Sequence, residues 1–246
     1  MKMKYYLSCS CGNDSVAMIQ LMHEKGLSQD CQVVYIDTGF SISWWPERVS
    51  LVRQLARSYG MTFEHIRGET FGELIRRRKG FPMPGKTWCS YHLKAVPFLA
   101  WADIHDPSEE GIILIGKRRD ESPARKDTPE YIEDSPRHGG RTVWHPLAFT
   151  PVQERDLLVG RAGIPILPFR SQECAPCVNA NRKDFLALGE LEIERVQKLE
   201  STVQQNMFRP WHHMGAKGIY EVIRWAKSPR GKYEPSHEGC DSGYCE

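Results

Sequence analysis

The apolar positions of the chain change period repeatedly along its first half. Tyr5-Tyr6-Leu7-Ser8 is a short β-prone run, and small polar residues follow it. Val16, Ile19 and Met22 then recur at helical spacing up to Gly26, a glycine suited to closing a helix. Gln32-Val33-Val34-Tyr35-Ile36 reads as a buried strand that ends at Asp37-Thr38-Gly39. A helix is predicted over 46–59, entered through Pro46, with Val49, Val52, Leu55 and Ala56 on one face. Thr62–Ile66 reads as the next strand, and Gly111–Gly116, with four consecutive Ile and Leu residues, as a central one covered on both faces. Strands alternating with helices predict an α/β fold: a doubly wound, mostly parallel sheet flanked by helices.

Residues 117–141 are charged and rich in Pro and Gly, the composition of a loop that carries binding residues. A single long amphipathic helix is predicted over 183–205 from Phe185, Leu188, Val196, Leu199 and Val203, packing on the core or on a second copy in a homodimer. From Ser228 the chain reads as irregular. The expected division is a nucleotide-binding α/β domain over 1–170 and a helical, cysteine-containing C-terminal extension over 171–246.

Composition narrows the class. The 246 residues, 40% hydrophobic and 26% charged, are enough for one core with a smaller appendage. No apolar run approaches membrane-spanning length, and Met1-Lys2-Met3-Lys4 leads into a strand rather than a signal sequence, so a cytoplasmic protein is expected. The net charge of +2 neither requires nor excludes nucleic acid, although Arg76-Arg77-Arg78-Lys79 and Lys117-Arg118-Arg119 are local basic runs. Eight cysteines in such a chain point to metal or thiol chemistry rather than disulfides.

The first strand-to-helix loop is Ser10-Cys11-Gly12-Asn13-Asp14-Ser15. At the carboxyl end of a parallel strand, such a loop presents backbone N–H groups to an anion. Ser10 and Ser15 add hydroxyls, Gly12 permits close backbone approach, and Asp14 suits either a Mg²⁺ ligand or a helix cap. Cys174-Ala175-Pro176-Cys177 is a CxxC, which alone fits a redox pair, half a zinc site or half an iron–sulfur site. His212-His213 is the closest histidine pair and is expected in a loop.

The loop resembles the SGGxDS motif of N-type ATP pyrophosphatases and phosphoadenosine phosphosulfate (PAPS) reductases, with Ser10, Gly12, Asp14 and Ser15 matching. Tyr35-Ile36-Asp37-Thr38-Gly39 with Pro46-Glu47 resembles that family's second strand. Thr87-Trp88-Cys89 through Leu93-Lys94 resembles its WC…LK segment. Gly116-Lys117-Arg118-Arg119-Asp120-Glu121-Ser122 with Arg125 resembles its GxRxxES…R phosphate-contacting segment, and Trp144-His145-Pro146-Leu147 its P-L turn. Cys11 replaces a glycine, and Asn13 stands where many members have lysine, which moves charge neutralisation onto the arginines.

The resemblance implies an adenine-nucleotide site at Ser8, Ser10, Cys11, Gly12, Asn13, Asp14, Ser15, Asp37, Thr38, Gly116, Arg118, Asp120, Glu121 and Ser122. It places Asp14, Arg118, Arg119 and Arg125 in catalysis with ATP and Mg²⁺. Cys89, Cys174 and Cys177, with Cys240 or Cys245 as the fourth, are the expected ligands of a [4Fe–4S] cluster, zinc being the alternative. In assimilatory sulfonucleotide reductases a Cys-Cys pair stands where this chain has Trp88-Cys89. The implied activity is an ATP pyrophosphatase that adenylates a nucleic acid for sulfur incorporation, as in DNA phosphorothioation (DndC-like and SspD-like proteins) or tRNA thiolation, with a cysteine desulfurase as donor. A PAPS or APS reductase and a non-catalytic nucleotide- or nucleic-acid-binding module are the alternatives.

Overall fold

The computed structural model describes residues 3–208 and 218–228. In chain order the elements are β1 (Tyr5–Cys9), α1 (Asn13–Glu24), β2 (Cys31–Asp37), α2 (Trp45–Ser58), β3 (Thr62–Arg67) and α3 (Phe71–Arg78). Then α4 (Trp88–Ser90) runs through a π-helical turn (Tyr91–Ala95) into α5 (Val96–His105), followed by β4 (Ile112–Leu114), β5 (Tyr131–Ile132) and β6 (Val143–Trp144). The chain continues through α6 (Val152–Arg161), α7 (Arg182–Leu186), α8 (Glu190–Val203) and α9 (Ile219–Lys227).

The six strands form one sheet in the order β3-β2-β1-β4-β6-β5, parallel except for β5, which runs antiparallel to β6. Side chains alternate cleanly between its faces. Leu7, Cys9, Val33, Tyr35, Leu114 and Trp144 pack against residues of α1, α2 and α6. Tyr6, Val34, Ile36, Ile113, Ile115 and Val143 pack on the other face against Phe98, Trp101 and Ala102 of α5. Double coverage explains why the strands read as continuous apolar runs, and each large side chain so buried contributes roughly 1.5–3 kcal/mol. The chain winds from β1 out to β3, then returns to the other side of β1 at β4. The order therefore reverses between β1 and β4, the place where parallel α/β sheets open a crevice for ligands.

A third apolar cluster lies apart from the sheet. Phe40, Phe71, Leu74, Ile75 and Leu93 join Val178, Phe185, Val196, Leu199, Phe208, Ile219, Val222 and Ile223. It mixes residues from both sides of position 170, so α3 and the π turn pack as one body with the C-terminal helices.

The single helix predicted over 183–205 is two helices. Asn181 caps α7, its Oδ1 accepting from the N–H groups of Lys183 (2.8 Å) and Asp184 (3.1 Å). At Gly189 the chain restarts, and its N–H is taken by the Glu192 carboxylate at 2.9 Å, which opens α8. The same Glu192 accepts from Ser43 N–H at 2.8 Å, so the break also fastens α8 to the loop after β2. No helix among the described residues is long and apolar enough to cross a membrane.

The long segment between β4 and β6 is ordered by buried polar contacts. His138 Nδ1 pairs with Ser135 Oγ at 2.8 Å and His145 Nδ1 with the Pro129 carbonyl at 2.7 Å. Burial pushes both imidazoles down to about 4, with Lys117 adding to the depression in each case. Because the unfolded chain binds these protons near the ordinary histidine value, stability falls as the pH drops from about 6.5 toward 4. Urea titrations across that window should show this loss, and replacing both residues with glutamine should flatten the profile.

Candidate functional site

The loop after β1 turns at Cys11, which adopts φ +61°, the left-handed region that glycine favours. That turn ends β1 and starts α1 within three residues. No side chain caps α1, so its first-turn N–H groups point toward the strand ends. Ser10 N–H donates to Ser15 Oγ at 2.9 Å and Gly12 N–H to Ser10 Oγ at 3.3 Å, which fixes the loop's curvature. Cys11 is fully buried, its Sγ 3.6 Å from that of Cys9, and burial pushes its thiol well up. These two thiols are packing groups. Arg48 holds the loop from below, donating to the Cys11 carbonyl at 3.1 Å and the Pro165 carbonyl at 2.6 Å.

Asn13 does not point along the loop's open side. Its amide makes a two-way pair with the Leu167 backbone, Nδ2 donating to the carbonyl at 2.8 Å and Oδ1 accepting from the N–H at 3.0 Å. In this chain Asn13 therefore pins the segment around 165–167. Ser8 lies inside β1, opposite Val34.

Asp14 is fully buried at the crevice between β1 and β4. Its Oδ1 accepts from Arg118 Nε at 2.8 Å and from Arg155 Nη1 at 3.1 Å. Gly116 makes this possible: a Cβ there would stand 3.2 Å from Asp14 Cβ and 3.1 Å from Met18 Cε. Arg118 also pairs with Asp120, while its N–H donates to Glu121 at 3.3 Å and Glu121 pairs with Arg125. Ser122 sits in extended backbone between these turns, its carbonyl accepting from Arg125 N–H at 2.9 Å. Arg119 turns elsewhere, onto the Phe149 ring at 4.1 Å and the Thr128 carbonyl at 2.8 Å. Arg155 was not singled out from the sequence. It lies on α6, far from any motif, and only the fold brings it to Asp14. Arg155 also donates to Asp156 at 2.7 Å, and a carboxylate oxygen already taken by two guanidiniums is poorly placed to ligate Mg²⁺. It fits a holder of arginines for phosphate oxygens.

At the end of β2, Asp37 accepts from Gly39 N–H at 2.9 Å, and Thr38 is fully buried. Thr38 Oγ1 donates to the Glu173 carbonyl at 2.7 Å and accepts from Cys174 Sγ at 3.3 Å. Ser171 Oγ donates to the Ser10 carbonyl at 3.3 Å. The 171–174 segment thus runs from the β1 loop to the β2 loop. Arg195 fixes its continuation, one Nη2 donating to the carbonyls of Phe40 (3.1 Å), Ser41 (2.9 Å) and Ala175 (2.8 Å).

Cys89, Cys174 and Cys177 line one small cavity of about 40 Å³ with Phe71, Leu93, Pro176 and Val178. Burial pushes the Cys89 thiol up, and the neighbouring Cys177 and Cys174 add to it. Cys174 is pushed up to about 11 by burial, against the opposing pull of Lys94, which pairs with Glu173 at the cavity's edge. Three sulfur donors in an apolar pocket are the donor set of a soft-metal centre. As they stand, no three Cys, His, Asp or Glu side chains among the described residues are gathered closely enough to hold a metal ion. Cys240, Cys245 and the His212-His213 pair lie outside the described residues.

The chain is thus a doubly wound α/β protein with a tight first strand-to-helix loop and an arginine segment at the switch point. Residues 4–195 match the family model of the phosphoadenosine phosphosulfate reductase domain, and the chain belongs to that family. It is similar to an uncharacterized protein of Methanocaldococcus jannaschii, 32% identical over 46% of this chain and 22% of that one. It is also similar to an uncharacterized 37.8 kDa protein of Escherichia phage 186, 29% identical over 65% of this chain and 53% of that one. The chain thus spans between about a fifth and about half of these relatives' lengths. Among solved structures it is similar to a U34-tRNA thiolase from Methanococcus maripaludis determined with its [4Fe–4S] cluster, at a TM-score of 0.50, 16% identity, and coverage of 91% of this chain and 71% of that one. This likeness is one of fold.

Two substitutions test the geometry. Gly116→Ala should weaken ATP binding on the order of tenfold, by displacing Asp14 and the start of α1, with the fold intact by circular dichroism. Arg195→Met should free the 174–177 segment, and faster reaction of Cys174 with a thiol reagent would register it.

Proposed function

We propose that the protein is an ATP pyrophosphatase that adenylates a nucleic acid and so prepares it for sulfur incorporation, in DNA phosphorothioation or tRNA thiolation. The observation that carries this reading is the run from Ser171 to Cys174, which joins the nucleotide loop at Ser10 to the cysteine cavity through Thr38. A nucleotide activated at the first would lie beside sulfur chemistry at the second.

In the proposed reaction an oxygen of the nucleic acid attacks the α-phosphorus of ATP. A new P–O bond forms, the α–β anhydride bond breaks, and pyrophosphate leaves with the electron pair. The terminal sulfur of a persulfide, delivered by a cysteine desulfurase, then attacks the activated atom and AMP departs with the original oxygen; a second thiol cleaves the remaining S–S bond, releasing the thiolated product and leaving a disulfide. No covalent protein nucleophile is needed in the first step. What the step demands is stabilisation of the charge on the leaving pyrophosphate, and preorganised guanidiniums supply that. Arg118 and Arg155 are held in place by Asp14, and Arg125 by Glu121. Backbone N–H groups at the start of α1 position the phosphates, and Mg²⁺ enters as part of the MgATP substrate. The donors Cys89, Cys174 and Cys177 would hold a [4Fe–4S] cluster, which when bound would carry the sulfur chemistry.

Reduction of a sulfonucleotide is the second reading, supported by the reaction for which the family model is named. Incubation with MgATP and a nucleic-acid acceptor decides between them. AMP and pyrophosphate without sulfite are expected. Thioredoxin-dependent sulfite from PAPS would overturn the first reading and establish the second, and silence in both assays would leave only nucleotide binding. Arg118→Ala should reduce pyrophosphate release by roughly a hundredfold or more. Arg119→Ala should cost far less, because that guanidinium lies on Phe149 and the Thr128 carbonyl.

A further inference from the structure

The basic run at the end of α3 has no part in the nucleotide site. Arg76, Arg77, Arg78 and Lys79 are all exposed, and Lys86 is exposed on the turn that follows. Arg77 is neutralised by Glu69 through two 2.7 Å contacts. The other four meet no carboxylate among the described residues. Four cations within eleven residues outnumber the neighbouring Glu69 and Glu73 and make a local positive surface on a chain whose net charge is only +2.

This surface adjoins aromatic rings and the cysteine cavity. The Arg78 guanidinium lies 4.8 Å from the centre of the Trp88 ring and donates to His92 Nε2 at 2.5 Å. Tyr91 packs edge-on against His92, with ring centres 5.3 Å apart, and leaves 59% of its surface in solvent. Burial, then Arg78 and Arg77, push the His92 imidazole down, so His92 accepts from Arg78 as a neutral ring. Trp88 directly precedes Cys89, and Phe71 at the other end of α3 lines the same cavity as Cys89. The end of α3 therefore meets the 88–92 segment in a shared face through Arg78, Trp88 and His92, and Cys89 and Ser90 of the same segment line the cavity.

We infer that this face binds a single-stranded stretch of nucleic acid, with phosphates on Arg76, Arg78, Lys79 and Lys86 and an unpaired base stacked on Tyr91 beside the cysteine cavity. The inference rests on the proposed nucleic-acid acceptor and assigns its docking surface. Phosphates supply anions for these exposed cations. A base offers the π-face that an exposed tyrosine stacks on, and only an unpaired base can present it. A duplex satisfies the cations and leaves the ring unused.

Fluorescence anisotropy of the full chain with labelled DNA and RNA single strands of about 12 nucleotides, and with the matching DNA duplex, tests this. Either single strand should bind at least tenfold more tightly than the duplex, and the tighter of the two names the acceptor. The triple variant R76A/R78A/K79A should lose at least tenfold in affinity, and its log–log salt slope should shrink by about two, near 0.7 per lost phosphate contact. Tyr91→Ala should lose on the order of tenfold with little change in that slope. Both variants should bind ATP as the wild type does. Exposed Arg57→Ala on α2, away from this face, is the control and should bind unchanged. Failure of the wild type to bind any single strand, equal affinity for the duplex, or unchanged binding by the triple variant would overturn the inference. Loss of pyrophosphate release with strand binding intact would instead count against the catalytic reading alone.

Discussion

One carboxylate organises the nucleotide end of this protein. Asp14, wholly buried at the point where the sheet reverses direction, holds Arg118 from the segment after β4 and Arg155 from α6. An unpaired carboxylate there would cost several kcal/mol, whereas without Asp14 the arginines would keep Asp120 and Asp156 and lose only the join between them. Through that join, three distant parts of the chain meet at a fixed geometry. Gly116 is required by the same constraint, since any larger residue would push against the Asp14 Cβ. A structural ion pair alone would need one arginine. Here two guanidiniums share one carboxylate oxygen beside the start of α1, and the positive end of that helix dipole favours an anion.

The second dependence runs through Thr38. This buried hydroxyl joins the Glu173 carbonyl to the Cys174 thiol, while Ser171 reaches back to Ser10. The nucleotide loop and the cysteine cavity are thus not separate sites that share a chain. They are two ends of one hydrogen-bonded strap laid over the carboxyl edge of the sheet. Arg195, with three carbonyls on one nitrogen, keeps that strap from peeling away. Packing of α3 against α8 and α9 then settles where Cys89 meets Cys174 and Cys177.

Much of the frame was legible in the sequence because the signals were local. The strands at Cys31 and Ile112 are largely buried and so read as apolar runs, the edge strand at Thr62 alternates between a buried and an exposed face, and Gly26 with φ +70° closes α1 as its type suggests. The break in the C-terminal helix was missed because Leu188 continues the apolar stripe across it, while Glu192 and Asn181 determine the ends through backbone contacts. Helix α9 went unread although Ile219, Val222, Ile223 and Ala226 have helical spacing. In the site, motif positions placed Asp14, Arg118 and the cysteines near one sheet edge. Arg155 could not be found that way, since its role depends on α6 packing against α1. Asn13 was read as a weakened phosphate contact, whereas its amide is engaged by the Leu167 backbone, a partner 154 residues away.

The central claim is that Asp14 holds Arg118 and Arg155 for a nucleotide's phosphates. Calorimetric titration of MgATP into the wild type, the double variant Arg118→Met/Arg155→Met and the variant Cys174→Ser tests it most directly. The account predicts that the double variant loses binding by roughly a hundredfold or more while Cys174→Ser binds as the wild type does. Undiminished ATP affinity in a folded double variant would contradict it.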